Sequence, residues 1–131
     1  MKFTSGGGGE NGGSDYRYDR ALPDEIYEGE VLDAREDMSK AQNAMVVLTF
    51  GIDGPHGGVR VDEYIVSFFT TKVEAMVHSL APEASETWNS TGECDVNPLD
   101  LVGRSCRIKI KNEEYEGKTR PKIDKLLPIE L

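Results

Sequence analysis

From Leu22 onward the chain sets short runs of alternating apolar and polar residues between clusters of turn formers, which is how an all-β domain reads. Residues 26–34 predict a first strand carrying Tyr27, Gly29, Val31 and Asp33 on one side, with Gly29 marking a bulge or tight bend. The polar residues 35–43 read as a connecting loop. Residues 44–52 give the strongest strand, with Val46, Leu48 and Phe50 on one face and Met45, Val47 and Thr49 on the other. Both faces are partly apolar, so each needs a cover. Turn formers around Pro55 reverse the chain over residues 53–58, and residues 59–69 form a third strand. Val73, Met76, Val77 and Leu80 then recur at helical spacing, predicting a helix over residues 72–80 that Thr70 or Thr71 caps and Pro82 closes. Residues 83–98, which include Trp88 and Cys94, are polar and irregular. Beyond Gly103 come a fourth strand, residues 104–113, and a fifth, residues 118–127.

Three strands, a helix and a hairpin predict an all-β fold: a five-stranded Greek-key barrel of the oligonucleotide-binding (OB) type, with one short helix between strands 3 and 4. A small sandwich would show similar periodicities. Residues 1–20 contain the run Gly6 to Gly9 and read as a flexible glycine-rich tail, which leaves residues 21–131 as the OB-fold domain.

Along the fourth strand Cys106, Ile108 and Ile110 alternate with Arg107, Lys109 and Lys111, the mark of one buried face. A two-residue turn at Glu116-Gly117 sets Ile110 opposite Ile123 inside. Outside, it sets Lys109 against Asp124, Lys111 against Lys122, Glu113 against Arg120 and Tyr115 against Lys118. Only Lys125 falls inward, so a bulge or a frayed end is needed there.

Charge sharpens this picture. Residues 104–125 hold 8 Lys and Arg against 4 Asp and Glu, while the rest of the chain holds 7 against 20 and the formal net charge is −9. A field of that sign opposes indiscriminate coating of duplex DNA, yet screening over about 8 Å lets a local basic cluster hold a polyanion in contact. Lys111 facing Lys122 is unfavourable by some tenths of a kcal/mol, which a phosphate between them would relieve. Tyr115 near the tip offers a ring on which a base can stack. The candidate nucleic-acid-binding residues are therefore Arg107, Lys109, Lys111, Tyr115, Lys118, Arg120 and Lys122, with Arg60 and Tyr64 from the third strand and Lys40 from the loop between the first two. Phe68 shares a face with Tyr64 and reads as a stacking group or as core. Trp88 reads as a stacker, a loop anchor or part of the helix cover. The competing reading of the hairpin is a solvated face with two ordinary salt bridges.

Three motifs carry a resemblance to a known family: Leu22-Pro23 with Tyr27-Glu28-Gly29-Glu30-Val31, Ser39-Lys40 with Met45-Val46-Val47-Leu48-Thr49-Phe50, and Val102-Gly103-Arg104 with residues 114–123. Over residues 22–128 the chain resembles small phage-encoded and prophage-encoded OB-fold proteins associated with single-stranded DNA binding. The resemblance implies a non-enzymatic replication or recombination accessory that coats and protects single strands in the cytoplasm of a bacterial host and recruits replication or recombination proteins. It leaves a homodimer open. The chain departs from the family at Ala41-Gln42-Asn43-Ala44, where a Gly usually precedes an Asn-Pro, and in the length of residues 83–98.

No cofactor or metal is expected: Cys94 and Cys106 lack a C-x-x-C spacing, Cys106 reads as a core residue, and His56 and His78 have no neighbouring ligands. No apolar run approaches the roughly 18 residues that span a bilayer, and no apolar signal segment follows Met1, so neither membrane nor secretion is expected. Two other functions compete. A protein-interaction adaptor on the same fold would have no affinity for nucleic acid. A metal-dependent nuclease would use the seven acids of residues 24–37, although no lysine follows them at a nuclease-like spacing.

Overall fold

The alternation along residues 44–52 builds the spine of the molecule. In the computed structural model, which describes residues 16–129, the elements are β1 (Ile26–Met38), β2 (Ala44–Gly54), β3 (Gly57–Val66), α1 (Thr70–Leu80), α2 (Ser85–Thr91), β4 (Ser105–Ile110), β5 (Glu113–Tyr115), β6 (Lys118–Arg120) and β7 (Ile123–Leu127). Five strands make one antiparallel sheet in the order β3-β2-β1-β4-β7, and β5 with β6 forms a separate two-stranded ribbon. The sheet curls into a half-barrel whose edge strands, β3 and β7, come close without pairing. Leu48, Phe50 and Ile52 from β2 meet Val59, Val61 and Ile65 from β3, and Cys106, Ile108 and Ile110 from β4, in a single buried core. Burial pushes the Cys106 thiol up to about 12, so it is inert packing at neutral pH.

β1 runs four residues past the expected end, because Arg35 to Met38 pair with Val47 to Ala44. Local polarity predicted a loop there, and the strong β2 partner overrides it. The bulge lies at Leu32, not at Gly29: Val31 faces Phe50, Asp33 faces Thr49, and the extra residue turns Asp33 away from the side of Val31. Gly29 has a different role. A Cβ there would collide with the Ile108 side chain.

β3 ends at Val66 rather than residue 69, which puts Phe68 and Phe69 in a turn with 57% and 50% of their surface exposed, so Phe68 is not a core residue. α1 begins at Thr70, and Phe69 occupies its N-cap without a side-chain hydrogen bond, so neither threonine caps it. α1 buries Met76, Val77 and Leu80 across one end of the half-barrel. A second helix, α2, replaces the expected irregular stretch, so two short helices rather than one separate β3 from β4. Seven largely polar residues give little periodicity to read; only Trp88 packs on the core, and its Nε1–H donates to Glu74 Oε2 at 3.4 Å. Trp88 therefore belongs to the helix cover.

Most of the expected tail lies outside the described residues. Its last five residues lie along β3: Arg17 N–H donates to Gly58 O at 3.1 Å, and Arg60 N–H donates to Arg17 O at 2.9 Å, a parallel bridge on the strand's edge. The Tyr16 ring rests on Gly51 and Gly58, so this segment is part of the cover that the outer face of β2 needs. Among the described residues no helix is long and apolar enough to cross a membrane.

Candidate nucleic-acid interface

The β5–β6 ribbon forms because Glu116 and Gly117 both take positive φ, 53° and 78°, as a two-residue hairpin turn of the right twist requires. Ile110 pairs with Ile123, Glu113 with Arg120 and Tyr115 with Lys118, the expected register. The hairpin is nonetheless two pieces. At its waist Asn112 leaves the ladder, donating N–H to Asp24 Oδ1 at 2.8 Å and Nδ2–H to Leu22 O and Asp24 Oδ1, both at 2.7 Å. These bonds hold the Asp24 carboxyl below its usual range. Pro121, which has no N–H, interrupts the opposite strand. Nearer the base, Asp124 is an extra residue: Lys109 pairs with Lys125 instead of Asp124, Lys125 turns to solvent, and Leu126 takes the buried position.

The interruption sorts the basic residues into two sets. Lys109 and Lys111 share a cleft with Asp24, Glu25 and Asp124, where Lys109 Nζ lies 3.6 Å from Asp124 Oδ2. Arg107, also on β4, donates Nε–H to Pro128 O at 2.9 Å. Lys111 and Lys122 are joined through Lys111 N–H and Lys122 O at 2.9 Å, but their side chains part, and Lys122 Nζ sits 3.6 Å from Glu113 Oε1. Protein carboxylates thus relieve the expected like-charge contact. Lys40 is exposed in the β1–β2 turn.

The second set faces β3. Arg60, Tyr64, Arg120 and Lys122 line one groove of about 600 Å³ between β3 and the ribbon. Two residues that the sequence reading did not select join them. Tyr18 arrives from the N-terminal segment, and Lys72 from the first turn of α1. Three acids lie in the same lining, Asp62, Glu63 and Glu113. Tyr18 and Arg120 also border an adjoining cleft with Arg20 and Lys118, which continues the groove along the ribbon.

Several of these side chains are tied. Arg120 Nε–H donates to Glu113 Oε2 at 3.1 Å. Lys72 Nζ donates to Glu63 Oε1 at 3.2 Å, and Glu63 also accepts from Tyr64 N–H at 3.1 Å. Glu63 follows Val61 and precedes Ile65 on the inward side of β3, and desolvation raises its carboxyl above the ordinary range despite Lys72. A charge at an inward strand position was the one sequence signal for Lys72, since such a charge demands a partner. Arg60 stands apart: its Nε is buried and has no hydrogen-bond partner among the described residues.

Two tyrosines line the same groove. Tyr18 and Tyr64 are 57% and 50% exposed, and both hydroxyls point to Asp62, at 3.0 and 3.5 Å. Past the end of β3, Phe68 and Phe69 meet edge to face at 4.8 Å. Trp88 lies elsewhere, in an apolar cleft with Met45, Val73 and Met76 that shares no lining residue with the groove.

Among the described residues no group of three or more His, Cys, Asp and Glu is placed to hold a metal ion. No family model matches the chain, and no curated protein matches its sequence.

Proposed function

We propose that this chain is a non-enzymatic single-stranded DNA-binding protein of OB-fold type, a phage or prophage replication or recombination accessory that coats single strands. The observation that carries the reading is the convergence of Arg60, Lys72, Arg120 and Lys122 with two half-exposed tyrosines in one open groove, where a buried Arg60 N–H waits for an acceptor. Phosphates take the cations and bases stack on the rings, the two ingredients of sequence-tolerant single-strand binding. The strand order β3-β2-β1-β4-β7, with helices between the third strand and β4, supports an OB-type Greek key. In that fold the face of the second and third strands and the loops flanking it take oligonucleotides, and a groove formed by the third strand and the ribbon that follows β4 is consistent with that use.

The test is a binding isotherm with labelled oligothymidine at several salt concentrations, beside RNA and duplex of equal length. Four groove cations give a log–log salt slope of about −3 on single strands, at about −0.7 per phosphate. Absence of binding at low salt would sink the reading. The apolar cleft at Trp88 favours a second reading, an adaptor on the same fold. Capture of a replication or recombination protein with no affinity for oligonucleotide would establish that instead.

A further inference from the structure

The groove contains one feature that phosphate binding does not use. Asp62 lines it and is approached by both tyrosine hydroxyls, an acid where a simple phosphate track would place none. Its Oδ1 is saturated, accepting from Thr49 Oγ1 at 2.8 Å and from Tyr18 OH at 3.0 Å. Its Oδ2 has only the Tyr64 hydroxyl, at 3.5 Å, beyond the range of a good O–H···O bond. An ionised carboxylate oxygen can accept two bonds, so Oδ2 retains unspent capacity beside Tyr64.

We infer that Asp62 reads the base held at Tyr18 and Tyr64, favouring bases with an exocyclic amino group over thymine. The inference rests on the single-strand reading and names the substrate that site prefers. Cytosine N4, adenine N6 and guanine N2 each bring an N–H that an acid accepts, as Asp and Glu do from cytosine in duplex recognition. Thymine has no amino group, and its one N–H lies between two carbonyls that would face the carboxylate. Repulsion of those carbonyls, added to the lost bond, makes the discrimination larger than stacking differences between two pyrimidines.

The experiment compares labelled 12-mers of dC and dT at pH 8, by fluorescence anisotropy, on the wild-type chain and on Asp62→Asn. Asparagine keeps a carbonyl for Thr49 and Tyr18 while replacing the second acceptor with a donor. Wild type is expected to bind dC about tenfold tighter than dT, and Asp62→Asn to bring the ratio to about one. Should Asp62→Asn melt early, the wild-type chain is tested instead with a 12-mer of N4,N4-dimethyl-dC, which lacks the amino N–H: affinity should fall to the dT level, and binding equal to dC overturns the inference. If wild type binds both oligomers with equal affinity, or Asp62→Asn leaves the ratio untouched, the inference falls while the single-strand reading stands. If neither oligomer binds, both fall together.

Discussion

The two halves of the basic hairpin have the same composition and opposite surroundings. On the β4 side Arg107 is tied to Pro128 O, Lys109 and Lys111 lie next to Asp24, Glu25 and Asp124, and no aromatic residue lines their cleft. Arg120 and Lys122 lie across the Asn112 and Pro121 interruption, where β3, α1 and the N-terminal segment add Arg60, Lys72, Tyr64 and Tyr18. Alternation along a strand creates a basic face, but only convergence of several elements creates a groove. The largest expected effect follows from that difference. Arg60→Glu with Lys122→Glu should weaken oligothymidine binding about 100-fold at low salt, whereas Lys109→Glu with Lys111→Glu should weaken it less than about threefold, since each lost phosphate contact also removes about 0.7 from the salt slope. Equal losses from the two pairs, read by anisotropy, would erase the distinction.

The aromatic residues repeat the contrast on a smaller scale. Truncating a stacking platform costs about 1–3 kcal/mol per base. Tyr64→Ala should therefore lower affinity about tenfold with little change in melting temperature. Trp88→Ala should do the reverse, because Trp88 packs partly on the core and is remote from the groove. A Trp88 variant that loses DNA binding while melting normally would move the site to the other cleft.

Much of the frame was legible because it depends on period and turn chemistry. The register of Ile110 with Ile123 follows from keeping the core on one face, which a two-residue turn at Glu116-Gly117 does and a three-residue turn would not. The need for a bulge near Lys125 was visible from the same alternation. What was hidden depends on tertiary partners. β1 runs through Arg35 to Met38 because β2 pairs with it, and α2 persists because Trp88 finds the core. Asn112 offers no periodic signal for a contact 88 residues away with Asp24. For the site, Arg60, Tyr64, Arg120 and Lys122 were readable as basic and aromatic positions on exposed faces, but Tyr18 sat in an apparently featureless tail. No local pattern says which of several basic residues will share a groove.

Asn112 is the hinge of the comparison. Asn112→Ala removes the two side-chain hydrogen bonds, keeps the backbone N–H bond to Asp24, and leaves Leu22 O short of a donor, which should cost about 1–3 kcal/mol and lower the melting temperature by several degrees. The loss of DNA affinity should be smaller than for the groove charges, because Arg120 keeps its tie to Glu113 within the ribbon. An unchanged melting temperature would mean that Pro121 and the backbone bond from residue 112 to Asp24 maintain the interruption without the Asn112 side chain.

Glu63 gives the smallest effect and the finest cut. Its folded-state carboxyl is raised by desolvation, with Lys72 opposing, so the folded chain holds this proton more tightly than the unfolded chain does. Stability from that proton is fully present below the unfolded glutamate pKa and is lost as pH rises through the raised folded value. Glu63→Gln cannot lose it, and its amide oxygen still accepts from Lys72. The variant should therefore melt close to wild type in acid and gain on it as pH rises toward neutrality. The same change removes one of three acids from the groove lining, so it should also tighten oligothymidine binding at neutral pH, most visibly at low salt. Melting curves that run parallel from acid to neutral pH would show that Glu63 titrates as an ordinary surface carboxylate. An affinity gain with parallel curves would then come from groove charge alone, which separates the electrostatics of the site from the strain of burying a carboxylate beneath it.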